Sequence, residues 1–186
     1  MTEFLRMTFF LKLRHWELFL MLALPTAMSL LFGIPFEPLV AASIGLFMIL
    51  VLFLWMFSIG AWSNRRLPES RQRALLPFAI ALAIPLIYLL MYIFLYIPQL
   101  GNGAPSKPPL WLLPMHMLSM VGIFYGIWYT ARSLKSLQEN QDADFLIFSS
   151  TFFLLFIFPL GLWLIQPSVN QLYNRLEQAA EKPDEN

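Results

Sequence analysis

Five long apolar runs separated by polar or turn-forming residues set the pattern of this chain: 17–33, 39–62, 75–98, 110–131 and 145–166. A helix rises about 1.5 Å per residue and the hydrocarbon core of a bilayer is about 30 Å thick, so runs of this length predict transmembrane helices. The first reaches only about 25 Å and just crosses, whereas the second and third are long enough to cross with tilt. The fourth follows the segment GNGAPSKPP, whose glycines and prolines cannot continue a helix. The predicted fold class is therefore all-α: a polytopic bundle of five transmembrane helices. A cytoplasmic or interfacial segment at 1–16 precedes the bundle at 17–166, and an amphipathic tail at 167–186 follows it.

The fifth run carries Pro159-Leu160-Gly161 at its centre. It could turn back as a re-entrant hairpin, but the arm from Gly161 to Gln166 is too short to climb back by itself. One kinked crossing is expected, which places the tail outside. After Pro167, Val169, Leu172, Tyr173, Leu176 and Ala180 recur at helical spacing, so the tail should bury that face in lipid headgroups or in a partner. At the other end, Glu3, Arg6, Arg14 and Glu17 share one narrow helical face, which suits a helix that continues the first span or lies along the interface.

Charge orients these runs. Arg6, Lys12 and Arg14 precede the first, and the gap at 34–38 has no basic residue. The next gap holds Arg65, Arg66, Arg71 and Arg73, the next only Lys107, and the last Arg132 and Lys135. Basic residues are retained on the cytoplasmic side, so the gaps read in, out, in, out, in. The chain is expected in the cell's inner (cytoplasmic) membrane with its N-terminus cytoplasmic. Composition agrees: 59% hydrophobic and 12% charged residues leave too little polar surface for a water-soluble domain. A net charge of +1, with the basic residues sorted by loop, gives nucleic-acid binding no support. The absence of cysteine removes disulfides, thiolate metal sites and cysteine nucleophiles.

Within the spans, Pro25, Pro85, Pro114 and Pro159 are expected to kink their helices, since each lacks the N–H of one backbone hydrogen bond. Gly122, Gly126 and Thr130 recur every four residues and form a flat strip that lets another helix approach closely; Ala79 and Ala83 stand in the same relation. Tyr88, Tyr92 and Tyr125 lie deep enough to need an internal hydrogen-bond partner, while Tyr96, Trp111, Trp128 and Tyr129 suit interfacial belts.

His116 is the ionisable residue placed within a span, about two turns from its external end. A neutral imidazole there, facing the bundle and bonded to a tyrosine hydroxyl or a kink-freed carbonyl, is the expected state. Its competing roles are proton switch, haem ligand or quinone ligand, and Tyr88, Tyr92 and Tyr125 join it as ligand candidates. His15 belongs to the opposite face of the membrane. Asp142 and Asp144 precede the fifth run, where acids favour the positive end of a helix. Ser119 lies one turn from His116 without an orienting acid. No catalytic residue, metal site or cofactor is expected.

The stretches YTARSLKSLQ (129–138) and FFLLFIFPLGLWLIQPSVNQL (152–172) resemble a recurring ending in small multi-pass bacterial membrane proteins of unassigned function. The resemblance implies that the fourth span, the link after it and the fifth span with its tail form one module. The expected function is a non-catalytic membrane subunit or scaffold, with the lipid bilayer and other membrane proteins or copies of itself as partners. The alternatives are an oligomeric pore or small-solute permease, and a quinone- or haem-associated subunit.

Overall fold

The computed structural model describes residues 8–32, 37–97 and 109–181, and among these there is helix and no strand. The described helices are α1 (Phe9–Lys12), α2 (His15–Phe32), α3 (Pro38–Arg66), α4 (Leu75–Met91), α5 (Leu112–Gln138), α6 (Phe145–Phe156) and α7 (Phe158–Glu181). A single 3-10 turn, Glu69–Arg71, follows α3, and a π-helical turn, Tyr92–Tyr96, continues α4. Most of the 34–38 turn, Lys107 with its glycine- and proline-rich segment, Glu3, Arg6 and residues 182–186 lie outside the described residues.

Among the described residues, three helices are long and apolar enough to cross a membrane: Pro38–Arg66, Leu75–Leu95 and Leu112–Gln138. The protein is an all-helical membrane protein. α3 starts at Pro38, where the missing N–H costs nothing because first-turn donors have no partner inside a helix. It runs beyond the apolar stretch to take Arg65 and Arg66 into its last turn, where positive charge suits the carbonyl end. α5 likewise extends past residue 131 to include Arg132 and Lys135.

The stretch 145–166 is two helices rather than one kinked crossing. α6 is capped by Asp144, whose Oδ1 accepts from the Ile147 N–H at 3.0 Å, and it ends where Ile157 leaves helical geometry at φ −92°, ψ 65°. α7 begins at the next residue and packs against α6. At Gly161 an added Cβ would collide with the backbone carbonyl of Leu154, so glycine is what lets the first turn of α7 lie against the last turn of α6. The return arm does not stop at Gln166: α7 continues through Pro167 for 24 residues. Counted from Phe158, that is about 36 Å of helix in all.

The chain divides into two compact units. One comprises residues 1–20, 58–73 and 127–186. Here the link at Leu13 (φ −60°, ψ 142°) interrupts helix between α1 and α2, and α2 is restarted by Glu17, whose carboxylate accepts the Arg14 N–H at 2.7 Å. The carbonyls exposed by this break are taken up by α7. Gln166, fully buried, donates through Nε2 to the carbonyls of Phe10 (2.9 Å) and Leu13 (2.7 Å). Asn170, one turn on, donates to Leu11 and Leu13. The α7 face so buried is Leu162, Ile165, Gln166, Val169 and Tyr173, at helical spacing. Trp163 meets the rings of His15 and Phe19, Tyr173 meets Trp62, and Arg66 Nη2 pairs with Glu177 at 2.7 Å. The tail therefore packs with the N-terminal segment and the arginine loop, whereas a single kinked crossing was expected to place it on the opposite side of the membrane from them.

The other unit comprises residues 21–57 and 74–126. Phe57 and Phe78 stack at 5.5 Å between α3 and α4. At Gly122 a Cβ would stand 2.5 Å from the Ala81 carbonyl oxygen, and at Gly126 a Cβ would stand 2.6 Å from Leu82 Cδ2. The glycine strip of α5 is thus occupied by α4 of the same chain.

Candidate functional site

The candidate residues of the unit 21–57 and 74–126 divide between two recesses. His116 lies on the fifth residue of α5, about 6 Å along the helix by rise. Its ring is exposed and meets Tyr88 edge-on at 5.6 Å between centroids. With Pro109, Leu110, Leu112 and Leu113 these two rings line a recess of about 320 Å³. His116 thus differs from the expectation of an imidazole turned into a bundle: the described contact is a ring edge, not a hydrogen bond to a hydroxyl. The reason is its helical position, six residues and therefore far around the helix from the buried Gly122. Tyr125 instead lines an apolar groove of about 400 Å³ between α4 and α5, beside Ala81 and Gly122. Tyr92 opens the π-helical turn.

On α4, Ala81 and Pro85 are what meet Gly122, and the expected pair Ala79 and Ala83 lies on another face of the helix. Two residues turn a helix by about 200°, so the second pair faces away from the first; Ala79 and Ala83 border a recess against Leu50, Phe53 and Phe57 of α3. Gly122, Gly126 and Thr130 are all buried, as a packing strip should be. The expected kinks divide as well. Pro25 and Pro85 lie inside α2 and α4. Pro114 and Pro159 are the third and second residues of α5 and α7, where no intrahelical hydrogen bond is lost, so they begin helices instead of bending them.

Ser119 Oγ donates to the Met115 carbonyl at 2.8 Å and is buried, so it is engaged along its own helix and does not pair with His116. Among the described residues no group of three or more His, Cys, Asp or Glu could hold a metal ion.

Charge gathers in the other unit. Asp142 accepts from Arg73 Nη2 through Oδ1 at 2.7 Å and from Arg132 Nη2 through Oδ2 at 2.9 Å. Both guanidinium groups lie over the Trp128 ring, at 6.0 and 5.5 Å from its centroid. Partial burial works against the carboxylate's charge, but hydrogen bonds from Arg73 and Arg132 and the attraction of their charges outweigh it. They hold Asp142 below the usual carboxylate range. The two acids before α6 accordingly have different roles, Asp144 capping the helix and Asp142 joining two arginines. Asn64 grips Arg73 on both backbone groups, accepting its N–H at 2.8 Å and donating to its carbonyl at 2.9 Å. Tyr129, expected in an interfacial belt, is fully buried and donates to that same carbonyl at 3.3 Å.

Gln166, Asn170 and Asn64 were not among the residues expected to matter. The signal for Gln166 was present, since an amide inside the run LGLWLIQP needs a partner in any apolar setting. No family model matches the chain, and comparisons with curated proteins and with solved structures return no match.

Proposed function

We propose that the protein is a non-catalytic subunit or scaffold of the cell's inner membrane, whose spanning helices present apolar surface to lipid and to neighbouring membrane proteins or copies of itself. The observation that carries this reading is how little of the spans the chain itself covers. The most apolar stretches of the three spanning helices are 22%, 28% and 28% buried within the chain. Large apolar side chains such as Ile80, Ile87 and Leu113 stay exposed. The conspicuous buried polar side chains, by contrast, satisfy the chain's own backbone: Gln166 and Asn170 the broken N-terminal helix, Asn64 and Tyr129 the arginine loop. Groups committed in this way hold a fold together.

The same reading includes a topology. The N-terminus is cytoplasmic, α2 to α5 cross four times, and α6 with α7 enters the membrane and returns, so that the tail is also cytoplasmic. The charge alternation supports the orientation. The pairing of Arg66 with Glu177 supports the return.

A photo-reactive amino acid at Ile80 or Ile87, activated in cells, tests the role. A single adduct of fixed mass, either with another membrane protein or with a second copy, is expected, together with no ion current from the purified chain in planar bilayers. A chain that forms no adduct and conducts when reconstituted would replace this reading with the pore.

A further inference from the structure

Between α5 and the α6–α7 pair lies a cavity of about 160 Å³. One water needs only about 10–15 Å³ of such space, so the cavity has room for a polar group larger than water. Five polar side chains line it: Lys135 and Gln138 from α5, Ser150 and Thr151 from α6, and Ser168 from α7. Leu134, Leu154, Leu164 and Ile165 complete the lining, and Leu164 is 59% exposed beside it. We propose that this cavity binds the phosphate of an anionic membrane lipid, with the acyl chains leaving along Leu164. The inference goes beyond the scaffold reading and rests on one part of it, the topology that puts the basic loops at the cytoplasmic leaflet.

The chemistry follows from the donors. Lys135 Nζ is a compact cation with three N–H groups, suited to a phosphate as a point charge. Its carboxylate neighbour, Glu139 Oε1 at 3.8 Å one turn along the helix, is a loose and half-exposed partner, which leaves the ammonium able to swing to a stronger anion. Gln138 Nε2 donates to Ser168 Oγ at 2.9 Å, which fixes the two walls against each other and points hydroxyl chemistry at the same space. A free phosphate would be served by the polar wall alone. A lipid uses both the polar wall and the exposed leucine, and anionic lipids enrich the cytoplasmic leaflet on which basic loops lie.

The test uses the full chain in mild detergent and native mass spectrometry with three probes: phosphatidylglycerol, phosphatidylcholine and inorganic phosphate. Phosphatidylglycerol should be retained most strongly. Lys135→Gln should weaken it roughly tenfold, the scale of one charge-assisted hydrogen bond. Ser150→Phe, which fills the cavity without changing charge, should do the same. Arg175→Gln, which removes a charge from the exposed side of α7, should leave it within about threefold of the parent. A melting temperature for each variant separates lost binding from lost folding. Equal retention of both lipids, or equal loss in the Lys135 and Arg175 variants, overturns the site. Retention of inorganic phosphate alone, dependent on Lys135, removes the lipid as its source.

Discussion

At the scale of single residues, the chain is held by polar side chains that repair specific breaks in its backbone. Replacing Gln166 with leucine would take the side-chain donor from the Phe10 carbonyl and leave the Leu13 carbonyl with Asn170 alone. An unsatisfied buried acceptor costs about 1–3 kcal/mol. The variant should melt lower in detergent by an amount of that order, and a variant as stable as the parent would show that the amide is incidental. Asp142 gives a second residue-level outcome, with a defined sign. Its folded pKa is depressed below the ordinary 3.8, so its contribution is complete at neutral pH and is lost as pH falls below 3.8 through the depressed value. The melting-point difference between the parent and Asp142→Asn should be present at neutral pH and shrink in strong acid. A difference that stays constant with pH would remove Asp142 from the account. Sequence pattern named Asp142 only as a helix-entrance acid, because its two arginine partners are fixed by folding, one of them 69 residues away.

At the scale of elements, the apolar runs located α3, α4 and α5 to within about two residues at their N-terminal ends. Length and hydropathy alone determine where such helices begin. They do not determine which face meets which. Gly122 was legible as a packing position, but its partner, the Ala81 carbonyl, is backbone and has no signature in the sequence. The two glycines also differ in a way spacing cannot reveal. A Cβ at residue 122 meets a carbonyl that cannot rotate away, whereas one at residue 126 meets the end of the Leu82 side chain, which can. Gly122→Ala should therefore cost more stability than Gly126→Ala, with overpacking typically in the range of about 1–3 kcal/mol. Melting temperatures of the two variants decide it, and the opposite order would mean that α4 and α5 shift apart freely at residue 81. The α6–α7 pair escaped the pattern for a related reason. A proline inside an apolar run reads equally as a kink or as the start of a new helix. The residues that settle the matter, Ile157 by its backbone angles and Gln166 by its distant partners, carry no local period.

At the scale of the whole molecule, the proposed topology differs from five crossings at one testable place, the tail. The chain has no native cysteine, so single cysteines report cleanly. Glu37, Glu69 and Gln178 are exposed and lie in the first turn, the arginine loop and the tail. In intact cells an impermeant thiol reagent should label Glu37→Cys and miss both Glu69→Cys and Gln178→Cys, and permeabilised cells should label all three. Labelling at residue 178 with protection at residue 69 would restore the fifth crossing. The proposed orientation rests on the arginines and lysines, which the sequence displays directly. The proposed side of α7 has no such signal, because it rests on contacts between residues 10–13 and residues 166–170.

Those contacts bear on how the protein is made. The Phe10 carbonyl receives its hydrogen bond from a residue 156 positions later. Synthesis proceeds from the N-terminus, so residues 10–13 leave the ribosome well before residue 166 and wait, with their carbonyls open, until α7 has been translated. A nascent chain cut short before α7 would leave the carbonyls at residues 10, 11 and 13 without the amides that donate to them in the folded chain.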